Sequence, residues 1–120
     1  MEKVQGFGGF FFRSKDPAGL AIWYRDHLGI DLVPQDEEGT PWMAAGGPTV
    51  FAPFAQDTTY FAEQKSFMLN FRVGNLDALQ AQLEAAGIAV KRLDDMPGIG
   101  AFAHLSDPEG NAIELWEPVG

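Results

Sequence analysis

His104 and Glu114 stand on either side of the turn-forming run Asp107-Pro108-Glu109-Gly110-Asn111. If that turn is centred on Glu109, Ser106 faces Ala112, His104 faces Glu114 and Phe102 faces Trp116 across a hairpin, and opposed side chains are close enough to interact. An imidazole beside a carboxylate can move a proton or orient a polar group, and an aromatic pair beneath it gives an apolar wall. Strand side chains alternate between faces. Ile113 and Leu115 belong to a core, which leaves Ala112, Glu114 and Trp116 on an open face. Phe102, His104 and Ser106 join them there, because a His and a Ser cost more under a helix than beside solvent. Among residues 67–73, Leu69, Phe71 and Val73 form the core set and Met68, Asn70 and Arg72 the open set.

Other residues able to do chemistry are fewer. Arg13 and Arg72 occupy equivalent positions in two similar segments. They are either a pair of guanidinium groups for an anionic ligand or two salt-bridge partners. His27 lies on the apolar stripe of a helix and reads as a core or interface histidine. Gly6-Phe7-Gly8-Gly9 lacks the preceding strand, glycine spacing and acidic partner of a dinucleotide loop. No cysteine is present, so thiolate and disulfide chemistry are excluded.

The elements that must position these residues come as a repeat. Residues 9–32 and 68–90 are two copies of one strand-turn-helix unit, 59 positions apart in a chain of 120. Asp16 lies over Asn75, Leu20 over Leu79, Tyr24 over Leu83, and Gly29-Ile30 over Gly87-Ile88. Asp16-Pro17 and Asn75 are helix starts; Gly29 and Gly87 are helix ends. Strands are expected over 9–13, 30–34, 41–45, 49–54, 67–73, 88–92, 101–106 and 112–117. The order is β-α-β-β-β twice, an α+β fold with two mixed four-stranded sheets around a cleft and one helix outside each. Module one spans 1–55, the linker 56–65 and module two 66–120, in a single domain 1–120. By the repeat, Phe10 and Phe12 face their helix, while Gly9, Phe11 and Arg13 face the cleft. Phe11, Arg13, Met68, Asn70, Arg72, Phe102 and Trp116 are therefore the expected ligand-binding residues, with Glu114 and His104 the candidate catalytic pair.

Seventeen acids against eight lysines and arginines give a net charge of −9. That disfavours nucleic acid, whose binding rests on clustered cations. With an apolar fraction of 46%, the chain has enough for a core, yet no stretch approaches the roughly 18 apolar residues of a membrane span. The N-terminus lacks a secretory pattern, and a cytoplasmic protein is expected.

The repeated module, the helix run Ile22-Trp23-Tyr24-Arg25-Asp26-His27-Leu28-Gly29 and the closing run from Asp107 to Pro118 resemble the vicinal oxygen chelate superfamily. That superfamily includes glyoxalase I, extradiol dioxygenases and the fosfomycin- and bleomycin-resistance proteins. The resemblance implies metal ligands at Gly9, Met68 and Glu114, where metal enzymes of the superfamily carry His, His and Glu. Of these only Glu114 can hold a hard divalent ion; glycine offers no ligand and a thioether suits softer ions. The counterpart of Glu114 in the first module is Phe51 or a neighbour. The expected function is a small-molecule binding protein of the glyoxalase and bleomycin-resistance type, without a catalytic metal, holding an apolar or aromatic ligand. The alternatives are a lyase, isomerase or dioxygenase working through Glu114 and His104, alone or with Zn, Fe, Mn or Ni, and a purely structural subunit. Superfamily members commonly dimerise, and Trp42, Phe51, Phe54 and Tyr60 are large apolar groups for a small monomer to leave in water. A homodimer is expected. Tyr60 and Phe61, in the linker, read as a lid or a dimer contact.

Overall fold

Helix α1, Pro17–Leu28, starts where the Asp16 carboxylate accepts the Gly19 amide at 3.1 Å and proline supplies a preset first residue. It stops at Gly29, whose φ of 72° lies in the left-handed region that favours glycine. Helix α2, Leu76–Ala85, is capped in the same way by Asn75, which accepts the Ala78 amide at 3.0 Å. A second acceptor, Glu117, takes the Leu76 amide at 2.7 Å and ties this helix to the last strand. All 120 residues are described by the computed structural model.

Four strands follow the first helix: β1 (Met68–Arg72), β2 (Lys91–Arg92), β3 (Gly100–Ser106) and β4 (Ala112–Pro118). They form one mixed sheet in the order β1-β4-β3-β2, with β1 parallel to β4 and the other pairs antiparallel. Leu20 and Tyr24 of α1 and Leu76 and Leu83 of α2 share a single buried cluster with Ala103, Leu105, Ile113 and Leu115. Leu69, Phe71 and Val73 pack against it, as the alternation requires. The β3–β4 register is the one expected from a turn centred on Glu109: His104 pairs with Glu114 and Phe102 with Trp116.

The first half departs from expectation. No strand precedes Met68, although 9–13, 30–34, 41–45 and 49–54 carry strand-type sequence. Both helices serve one sheet rather than one each, so the structure contains one four-stranded sheet. The reason is that a strand is defined by its ladder. Within 31–54 no backbone group bonds to another backbone group, and apolar, β-prone sequence without a partner stays merely extended. The strand expected over 88–92 likewise shortens to Lys91–Arg92, the part opposite His104 and Ala103.

The β3–β4 turn also fastens α1. The Glu109 carboxylate accepts the Ser14 hydroxyl at 2.7 Å, the Lys15 amide at 2.9 Å and the Asp16 amide at 3.2 Å. The bond from Ser14, then that from the Lys15 amide, hold its carboxyl below the ordinary value of 4.5. A depressed folded value contributes stability that is complete above the unfolded value and disappears as pH falls through the folded one. Thermal melts should therefore show Glu109→Gln less stable than wild type at neutral pH, with the difference closing below about pH 4.5. Parallel curves down to strong acid would disprove this role.

Candidate functional site

Glu114 lies in the middle of β4, with β1 on one side and β3 on the other. The sheet register sets Asn70 and His104 directly beside it. Asn70 donates its amide to one carboxylate oxygen at 2.8 Å, and His104 Nε2 lies 2.8 Å from the other. A third group arrives from outside the sheet. The Tyr60 hydroxyl, carried by the segment before β1, donates to the oxygen that His104 shares, at 2.5 Å. Its ring stands edge-on to the His104 imidazole, with centroids 5.1 Å apart and planes at 90°. Glu114 is only 6% exposed; three donors compensate for burying its carboxylate. The Tyr60 hydroxyl is pushed up to about 12, by burial first and then by its bond to Glu114 and that group's charge. It is a neutral donor at physiological pH.

Beside this cluster, Phe102 and Trp116 stack with ring planes 1° apart and centroids at 6.1 Å. Both are buried. The Trp116 indole donates to the Ile99 carbonyl at 3.1 Å. Gly100 makes the close fit possible: a Cβ there would lie 2.2 Å from the Glu117 carbonyl and 2.8 Å from the Trp116 indole nitrogen. A cavity of about 490 Å³ is lined in part by His104, Trp23, Ile88, Val90, Lys91 and Ser106.

The remaining expected residues are placed elsewhere. Arg72 donates to the Ala45 and Pro48 carbonyls and the Thr49 hydroxyl, so its guanidinium holds the 45–49 loop. Gly47 allows that approach, since a Cβ there would lie 2.7 Å from Arg72 Nε. Arg13 is exposed and makes no hydrogen bond. Together with Phe11, which is 94% exposed, it lines a separate cavity of about 500 Å³ with Phe10, Phe12, Lys65 and Phe67. The two arginines therefore do not converge. Met68 is half-buried in β1, beside Ala112 rather than Glu114.

The donor set does not suit a resident divalent cation. Gly9 has no side chain, Met68 is a thioether, Phe51 is an exposed aromatic, and the Glu114 oxygens already accept from three protein groups. No three His, Cys, Asp or Glu side chains gather anywhere in the chain. Asn70 and His104 share a face with Glu114, as strand alternation requires, whereas the Tyr60 contact has no counterpart in the sequence pattern. The one signal available was an aromatic hydroxyl in a linker otherwise without periodicity.

A mixed sheet with its helices on one face and a carboxylate at the centre of its last strand defines the class, a module of glyoxalase type. The glyoxalase-like domain family matches residues 9–116, and the chain belongs to that family and thus to the vicinal oxygen chelate superfamily. Solved structures agree in fold. TnmS3, an antibiotic binding protein from Streptomyces sp. CB03234, is 21% identical, with a TM-score of 0.67 over 99% of this chain and 100% of its own. Lactoylglutathione lyase from Agrobacterium tumefaciens is 15% identical, with a TM-score of 0.63 over 97% of this chain and 96% of its own. A glyoxylase/bleomycin resistance protein/dioxygenase domain from Frankia sp. EAN1pec is 22% identical, with a TM-score of 0.60 over 98% of this chain and 100% of its own. No curated protein matches the sequence. No helix is long and apolar enough to cross a membrane.

Proposed function

We propose that this chain is a metal-free, small-molecule binding member of the family, acting in the cytoplasm as a homodimer. Its ligand, apolar or aromatic, is held against the open face of the sheet around Glu114. The observation that carries this reading is the state of Glu114. At the position where the superfamily's metal enzymes place a ligand, the carboxylate is occupied by Tyr60, His104 and Asn70. The buried stack of Phe102 on Trp116 lies beneath the face beside it, and a protein of the same fold is described as an antibiotic binding protein. The second four-stranded sheet that the repeat leads one to expect forms, on this reading, in the dimer, where the extended first-half segments find ladder partners.

Metal analysis after mild purification tests the proposal. Zn, Fe, Mn and Ni should each be far below one per chain, in wild type and Glu114→Ala alike. Stoichiometric metal that disappears in Glu114→Ala would overturn it. One observation favours a second reading. The 2.8 Å contact between His104 and Glu114 has the geometry of a base and its orienting carboxylate, as a Glu/His-dependent lyase, isomerase or dioxygenase would need. Turnover of any bound compound that is abolished by His104→Ala would select that reading over simple binding.

A further inference from the structure

Two of the three donors on Glu114 are built into the sheet, and one is not. Asn70 and His104 sit on the strands flanking β4 at the positions paired with Glu114. Tyr60 sits in a segment whose other hydrogen bonds are local: Thr58 to Ala55, Lys65 to Ala62, and the Tyr60 amide to the Thr58 hydroxyl. Across 55–62, the Tyr60 hydroxyl is the only hydrogen bond to the sheet. Tyr60 is 42% exposed and its ring rests on Phe54, with centroids 5.7 Å apart. What covers the most buried acid of the open face is thus an aromatic ring with one hydroxyl, on a tether that little else holds.

We propose that Tyr60 is a displaceable stand-in for the ligand, and that the ligand class this site selects is a neutral phenol. The inference rests on the reading of the Glu114 face as the binding site. Its argument is complementarity. When Tyr60 swings out, the Glu114 oxygen it shared with His104 loses a donor, and a buried carboxylate short of a donor is costly. A ligand that restores the donor cannot be an anion, which would meet the Glu114 carboxylate in a chain of net charge −9, and the group it replaces is a neutral hydroxyl. It must also be flat and aromatic to take the edge-on place against His104 that Tyr60 occupies. A phenol meets each condition. An aryl ether of the same shape fails for want of the proton, and an aryl carboxylate fails by charge. Tyr60 then sets both specificity and apparent affinity, because the closed form excludes the ligand in proportion to its population.

Calorimetric titration with 2-naphthol, 2-methoxynaphthalene and 2-naphthoate tests this on wild type, Tyr60→Phe and Glu114→Gln, with circular dichroism checking the fold of each. For wild type, 2-naphthol should bind at least about tenfold more tightly than its methyl ether, the worth of one hydrogen bond to a charged acceptor, and the naphthoate more weakly than either. Tyr60→Phe, which removes the competing hydroxyl, should tighten 2-naphthol and its methyl ether by the same factor, about tenfold, and leave the preference between them intact. Glu114→Gln should abolish the preference for the naphthol. Binding of 2-naphthol should also shift the side-chain amide resonances of Asn70. Equal binding of naphthol and ether by wild type and Tyr60→Phe would sink the phenol inference and leave the binding face standing. Binding of none of the three compounds by folded protein would overturn both. Tight binding with the Asn70 amide unmoved would also overturn both, by placing the ligand at another site.

Discussion

In solution at micromolar concentration, light scattering should return twice the mass of one chain. The expectation comes from surface that a single copy fails to cover. A compact monomer of 13.1 kDa exposes about 6,400 Å², whereas this chain exposes 9180 Å². Its radius of gyration is 15.3 Å, against roughly 13.6 Å for a compact domain of this length. Much of the excess is apolar: Phe7, Phe11, Val33, Met43, Val50 and Phe51 are each more than half exposed. Backbone bonding is short in the same region. The chain makes 44 backbone–backbone hydrogen bonds, where roughly 80 would be ordinary for its length, and the outer edge of β1 has no neighbour. An unpaired edge and unpaired extended segments in one chain are complementary to those of a second copy. An excess of roughly 2,800 Å² per chain, about 5,600 Å² for two copies, exceeds a standard interface and lies at the upper end of obligate dimers. Phe11→Asp together with Phe51→Asp should lower the mass toward one chain and lower the melting temperature with it. A monomer mass for wild type at micromolar concentration would defeat the expectation.

Asp107→Ala should be the most damaging single polar substitution. Asp107 is 5% exposed, and its carboxylate accepts four donors: the Tyr24 hydroxyl at 2.7 Å, the Asn111 side-chain amide at 2.7 Å, the Glu109 amide at 2.8 Å and the Asn111 amide at 3.0 Å. The first joins α1 to the β3–β4 turn; the other three close that turn on itself. Burial of Tyr24, and then its bond to Asp107, push its phenol far above the usual range, so it stays a donor. Alanine leaves Tyr24 and Asn111 with buried donors and no acceptor. The cost should be about 3 kcal/mol or more, lowering the melting temperature by roughly 10 °C. Tyr24→Phe removes one donor and leaves the rest of the turn paired, so about 1–2 kcal/mol is expected. Denaturant titration of the two variants checks the order. An Asp107→Ala midpoint equal to wild type would show that the turn holds without its acceptor.

What the sequence determined by itself is what short-range chemistry determines. Asp16-Pro17 and Asn75 start helices because a side-chain acceptor within three residues satisfies an otherwise free amide. Gly29 ends one because its backbone can turn left-handed. The pairing of His104 with Glu114 was legible because a short turn and a two-residue alternation leave a single register that buries Ile113 and Leu115. Asn70 followed from the same alternation. Three things were decided by tertiary structure alone. Tyr60 reaches Glu114 across 54 positions, and nothing in the linker's composition points to an acceptor that far away. Arg72 holds the 45–49 loop because its guanidinium meets free carbonyls there, which breaks the symmetry with Arg13 that the repeat suggests. The first-half segments carry strand sequence yet form no ladder, since a strand exists only where another backbone lies alongside it. Local sequence specifies its own dihedral angles and caps, whereas long-range hydrogen bonds depend on which surfaces the folded chain brings together.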